Sequence, residues 1–146
     1  MIEIKRGLDL PISGTPEQKI SEKLKVSKVA VVGPDYVGMK PSMKVKVGDK
    51  VRIGTILFTC KKVEGVNFTS PAAGEVVEIN RGHRRAFQSV VIEVNEKETN
   101  HKFDCFSSKP TSSLKREEVK DLMVESGLWS TLRTRPFSKA PALDTT

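Results

Sequence analysis

Tryptophan and tyrosine occur once each, at Trp129 and Tyr36, and cysteine only twice, at Cys60 and Cys105. Two distant cysteines make neither a C-x-x-C pair nor a disulfide framework. With His83 and His101 they offer no metal-ligand spacing. A reduced cytoplasmic setting is the simplest expectation. Aromatic residues are 5% of the chain, so a core must come from Val, Ile and Leu, and the aromatics form no stacking ladder along the sequence for nucleic-acid bases. No apolar run approaches the ~18 residues of a membrane span. The opening "MIEIKRGLDL" puts Glu3, Lys5 and Arg6 where a secretory signal needs apolar residues.

What is abundant is positive charge. Against 18 acidic residues stand 25 basic ones in 146, a formal net charge of +7. Such a chain is drawn to nucleic acid, anionic headgroups or an acidic protein partner, and the sign alone does not choose. The length suits about one domain.

Three regions follow one another. Residues 1–27 read as an arm: Pro11, Gly14 and Pro16 break regular structure, and Leu8, Leu10 and Ile12 alternate as in a short edge strand. Residues 28–98 read as mainly β. Apolar or alternating stretches at 29–32, 45–47, 56–60, 76–79 and 90–94 are punctuated by glycines 33, 38, 48, 54, 65, 74 and 82. Short strands with glycine corners predict a sandwich or barrel. A weak internal repeat aligns Val45 and Gly48 with Ile79 and Gly82, and Leu57 with Val91, suggesting two hairpin-like halves. Residues 99–146 read as a linker, a helix and an extended tail. Val119, Leu122, Met123 and Ser126 recur at helical spacing, Glu117 and Glu118 suit its first turn, Ser113 its N-cap and Gly127 the position past its C-cap. The tail "LWSTLRTRPFSKAPALDTT" contains two prolines and no strand, and reads as the start of a following domain.

The frame V-x-x-G-D-x-V-x-x-G-x-x-L, then P-x-x-G-x-V, is carried by Val45, Gly48, Asp49, Val51, Gly54, Leu57, Pro71, Gly74 and Val76. It resembles the biotinyl/lipoyl-like barrel-sandwich hybrid, whose carrier members present a modified lysine at a hairpin tip. Here the tip reads "CKKVEGVNF". No acidic residue precedes the lysines, and the loop is one residue shorter than the biotinyl pattern. Lys61 and Lys62 therefore read as unmodified surface cations.

Four segments together, "RGLDLPISGTPEQ", "YVGMKPSMKVKVGDKV", "FTSPAAGEVVEINRG" and "SGLWSTLRTRPFSKAPALDTT", resemble one family: the A subunit of the bacterial sodium-translocating NADH:quinone oxidoreductase. The resemblance runs through the chain in order, and family members are considerably longer, so the chain looks like an N-terminal portion. It implies a peripheral subunit on the cytoplasmic face of the bacterial inner membrane, near the quinone end of the complex. The partners implied are the other subunits, and through them the membrane. NADH, flavin, iron–sulfur centres, ubiquinone and Na⁺ belong to the complex as a whole. The family is distantly similar to the flavin-binding component of respiratory complex I, and Ser126, Gly127, Leu128 and Phe137 sit at comparable places. Trp129, Thr131, Leu132 and Thr134 replace its small residues, and Pro136 removes a donor. No cofactor is expected on this portion itself, and no catalytic group.

Two clusters remain as candidates. Arg81, His83, Arg84 and Arg85 form a basic patch, either a contact for lipid phosphate or an acidic partner, or a solvated turn. Trp129, Leu132, Arg133, Arg135, Phe137 and Lys139 interleave apolar and cationic groups, suiting a subunit interface, the rim of a quinone site, or packing on the domain that follows. Tyr36 and Met39 are weaker candidates of the same kind. Two other classes stand beside this reading: a basic RNA-binding small β-barrel, and a lipoyl or biotinyl carrier.

Overall fold

The computed structural model describes residues 7, 13–20, 22, 24–103 and 110–144. The expected edge strand at Leu8, Leu10 and Ile12 lies outside them, as does Cys105. The described residues form seven strands and one α-helix: β1 (Lys28–Val32), β2 (Pro41–Met43), β3 (Lys50–Val51), β4 (Ile56–Cys60), β5 (Asn67–Thr69), β6 (Gly74–Arg81), β7 (Phe87–Val94) and α1 (Arg116–Glu125). Two antiparallel sheets face each other, in the orders β1-β7-β6-β3 and β2-β4-β5. This is the mainly β sandwich expected from the glycine-punctuated strands.

The core is aliphatic with an aromatic seam. Leu57, Phe58, Val66, Val76, Val90 and Ile92 are fully buried, each side chain contributing about 1.5–3 kcal/mol on leaving water. Tyr36, Phe68, Phe58 and Phe87 meet in series across the sandwich, with centroids 4.7, 4.7 and 5.0 Å apart. Scattered along the sequence, these rings become neighbours only through the packing of the two sheets. Phe58 and Phe68 are buried, so they offer no face to a nucleic-acid base.

The stretch 45–47 is not a strand. Lys44 N–H donates to Leu57 O at 2.9 Å, whereas Gly48 N–H donates to Val76 O at 2.8 Å. The segment crosses from one sheet to the other, so neither ladder continues through it. Val45 is half-buried and Val47 exposed. The repeat likewise holds only in outline: two residues past Gly48, Lys50–Val51 is a strand, whereas two residues past Gly82, Arg84–Arg85 lies in a 3-10 turn.

Helix α1 starts at Arg116, with Lys115 and not Ser113 at its N-cap. The Glu118 carboxylate accepts from Lys115 N–H at 2.8 Å, satisfying the entry to the helix. Ser113 instead closes the preceding turn, its hydroxyl donating to Pro110 O at 2.8 Å. Gly127 follows the C-cap Ser126 with φ of 83°, the left-handed exit expected of it. The tail then folds back on the sandwich and is not simply extended. Asn67 Nδ2 and Thr69 Oγ1, on β5, donate to Val124 O (3.1 Å) and Ser126 O (2.9 Å). Ala140 and Leu143 pack on the core.

Candidate functional site

At one end of the sandwich the chain turns three times. Gly33-Pro34-Asp35 forms a 3-10 turn after β1, closed by Tyr36 N–H to Gly33 O at 3.1 Å. The β4–β5 loop carries Lys61 and Lys62, and Lys61 N–H donates to Lys40 O at 2.8 Å. The tail contributes a turn in which both the amide and the hydroxyl of Thr134 donate to Lys139 O, at 2.8 and 3.1 Å. These segments enclose a cavity of about 250 Å³. Tyr36, Met39, Cys60, Val63, Phe68 and Ala140 give it apolar walls, and Lys62 and Lys139 are the cationic side chains lining it.

Tyr36 is held from both sides. Its ring meets Phe68 edge-on, 4.7 Å away at 80°, and the Arg133 guanidinium lies 5.2 Å from its centroid. Arg133 in turn donates to Ser130 O and, at 3.0 Å, to Leu132 O. The Lys139 ammonium lies 5.6 Å from the Phe137 ring centroid. Cys60 is a buried free thiol in this wall. The cavity can accept a flat or branched apolar group and pair a polar atom of it with an ammonium or the tyrosine hydroxyl.

Tertiary structure thus brings Tyr36, Met39 and Lys139 together, with Arg133 behind Tyr36. The rest of the tail cluster does not line this cavity. Trp129 turns toward the C-terminus of the described chain, its indole Nε1–H donating to Pro141 O at 3.0 Å. It helps to line a separate cleft of about 420 Å³ beside α1, with Met123 and Leu143. Leu132, Arg135 and Phe137 are exposed and line neither cavity. Val37, Gly38, Cys60, Val63, Phe68 and Ala140 are among the cavity residues that sequence reasoning did not select as site candidates. Cys60 alternated into the core, but nothing local told which core residues border empty space.

In the segment matched to the complex I flavin loop, four amides are already hydrogen-bonded within the chain. Ser126, Gly127, Ser130 and Leu132 N–H donate to Leu122, Val124, Gly127 and Trp129 carbonyls. A Cβ on Gly127 would meet Thr69, not open space. Among the described residues no group of three or more His, Cys, Asp or Glu is placed to hold a metal ion.

Arg81, His83, Arg84 and Arg85 are exposed at the β6–β7 turn. Lys61 and Lys62 stand at the corresponding end, Lys61 beside that basic turn and Lys62 on the apolar cavity.

Comparison with known proteins agrees with this architecture. Residues 2–95 match the NqrA N-terminal barrel-sandwich hybrid domain, and residues 114–146 match the NqrA second alpha/beta domain. The chain is similar to the A subunit of the Na(+)-translocating NADH-quinone reductase of Vibrio anguillarum, at 56% identity over 146 residues and 99% of this chain. It matches that of Alcanivorax borkumensis at 56% over 142 residues, 97% of this chain, and that of Hahella chejuensis at 55% over 144, 99% of this chain. It spans 32% of the length of each of these relatives. By the domain match and by identity along nearly all its residues, the chain belongs to the NqrA family and carries that family's barrel-sandwich hybrid.

Proposed function

We propose that this chain is a structural and interaction module of a sodium-translocating NADH–quinone reductase, docked on other subunits near the quinone end. The single observation that carries this reading is the bare end of the sandwich. A carrier-type scaffold keeps its corners, but its hairpin lysines line cavities and carry no attachment motif. In place of a swinging arm there is an apolar cavity of about 250 Å³ with cations among its lining residues, a shape that suits a quinone headgroup or an apolar side chain of a neighbouring subunit. The occupied amides of Ser126, Gly127, Ser130 and Leu132 support the further reading that flavin and NADH are held by other parts of the complex.

In this reading residues 28–98 are the docking body, with 1–27 and 99–146 as its connections. The assembly sits peripherally on the cytoplasmic face of the inner membrane. No helix among the described residues is long and apolar enough to cross a membrane. Attachment to the membrane would run through partner subunits. The test is co-purification of the tagged chain with the remaining subunits, followed by lysine cross-linking. Cross-links from Lys62 or Lys139 to a membrane-embedded partner are expected. Recovery of the chain alone, or of a yellow protein that oxidises NADH, would overturn the reading.

A further inference from the structure

A second concavity lies across Met39 from the apolar cavity, and its chemistry is opposite. It encloses about 450 Å³ and is lined by Lys40, Lys61, Arg81, Arg84 and Arg85, with Met39 and Phe87 among its apolar residues. These cations come from three segments: the approach to β2, the β4–β5 loop and the β6–β7 turn. Among the described residues no acidic side chain lines the groove. Among the described residues none of the five has a carboxylate partner. A cleft walled by one sign of charge focuses its field on whatever enters, and raises the local concentration of the opposite sign.

The turn that supplies the arginines is sterically costly. Arg84 and Arg85 have φ of 53° and 60°, successive left-handed positions that Gly or Asn would occupy more easily. Three of its amides are spent within the turn: Gly82 N–H on Ala86 O, Arg85 on Gly82 O and Ala86 on His83 O, at 2.8, 3.0 and 3.1 Å. A compact phosphate site draws on free backbone N–H groups. Here the cationic donors are long side chains spread around a groove, an arrangement that matches charges distributed along a chain.

We propose that this groove binds an extended acidic segment of a protein partner, seating two or more Asp or Glu carboxylates against its guanidinium and ammonium groups. The proposal deepens the interaction-module reading by naming the chemistry of the partner. It is tested without the complex, so the two can fail separately.

The 146-residue chain is titrated with a fluorescein-labelled hexaglutamate peptide and followed by anisotropy at low and at physiological ionic strength. Saturable, salt-weakened binding is expected. Arg81→Gln/Arg84→Asn/Arg85→Asn removes three charges with residues that suit the turn, and should raise Kd about tenfold. Lys44→Gln/Lys46→Gln/Lys50→Gln removes as much charge from lysines outside the groove, and should change Kd less than about twofold. Lys40→Gln/Lys61→Gln leaves the turn untouched and should weaken binding several-fold, which keeps the test intact if the arginine variant misfolds. Equal losses in the groove variants and the lysine control, or no peptide binding, would overturn the proposal. So would phosphatidylglycerol vesicles or tripolyphosphate binding through these arginines more tightly than the peptide.

Discussion

Replacing Gly127 by alanine probes how the tail is held on the sandwich. Gly127 has φ of 83°, where an L side chain costs about 1–2 kcal/mol. An added Cβ would lie 2.5 Å from Thr69 Oγ1 and 2.9 Å from Thr69 Cγ2. Thr69 must therefore move, and its 2.9 Å bond to Ser126 O goes with it, a loss of about 1 kcal/mol. Together these put the cost at about 2–3 kcal/mol, a large share of the roughly 5–15 kcal/mol that holds a typical domain folded. Trp129, the single tryptophan, lies two residues on and reports the docking through its bond to Pro141 O. Urea unfolding followed by its fluorescence and by circular dichroism should show a lower midpoint, with emission already red-shifted before denaturant is added. Thr69→Ala removes Oγ1 and Cγ2 and leaves only Cβ, 3.2 Å away. In that background Gly127→Ala should cost about 1 kcal/mol less. An additive cycle, or a variant with unchanged midpoint and emission, would refute the claim that this glycine exists to let β5 approach.

The remaining expectations concern the sandwich. Phe58→Ala empties a fully buried site stacked on Phe68 and should lower unfolding free energy by about 3–5 kcal/mol; a change below about 1 kcal/mol by urea titration would contradict the core assignment. Gly74→Ala puts a Cβ onto the Glu93 carbonyl oxygen across the β6–β7 pair. It should cost about 1–3 kcal/mol by overpacking, visible as a reduced thermal midpoint. The chain purified from a host that lipoylates and biotinylates its own proteins should have the mass of its unmodified sequence. An increment mapped to Lys61 or Lys62 would restore the carrier reading.

Local chemistry explains what could be read in advance. The alternation at 90–94 and the apolar run at 29–32 placed strands because period-two burial is written into neighbouring residues; 56–60 is a strand too, although adjacent Leu57 and Phe58 are both buried there. Gly127 and Glu118 announced the ends of α1 by the same kind of near-neighbour rule. The stretch 45–47 failed because alternation records which side faces the core, not whether a partner strand continues alongside. Ser113 failed because Lys115 and Glu118 close the entry two residues later.

By itself the sequence determined the β class, the glycine corners, the resemblance to a family and the lack of a carrier motif, all of which depend on residues close together in the chain. Only the tertiary structure decided which residues share a site. Tyr36 and Lys139 border one cavity and Lys40 and Arg85 another because the ends of separate strands converge. Empty space and a one-signed field are properties of packed surfaces, and no single segment encodes them.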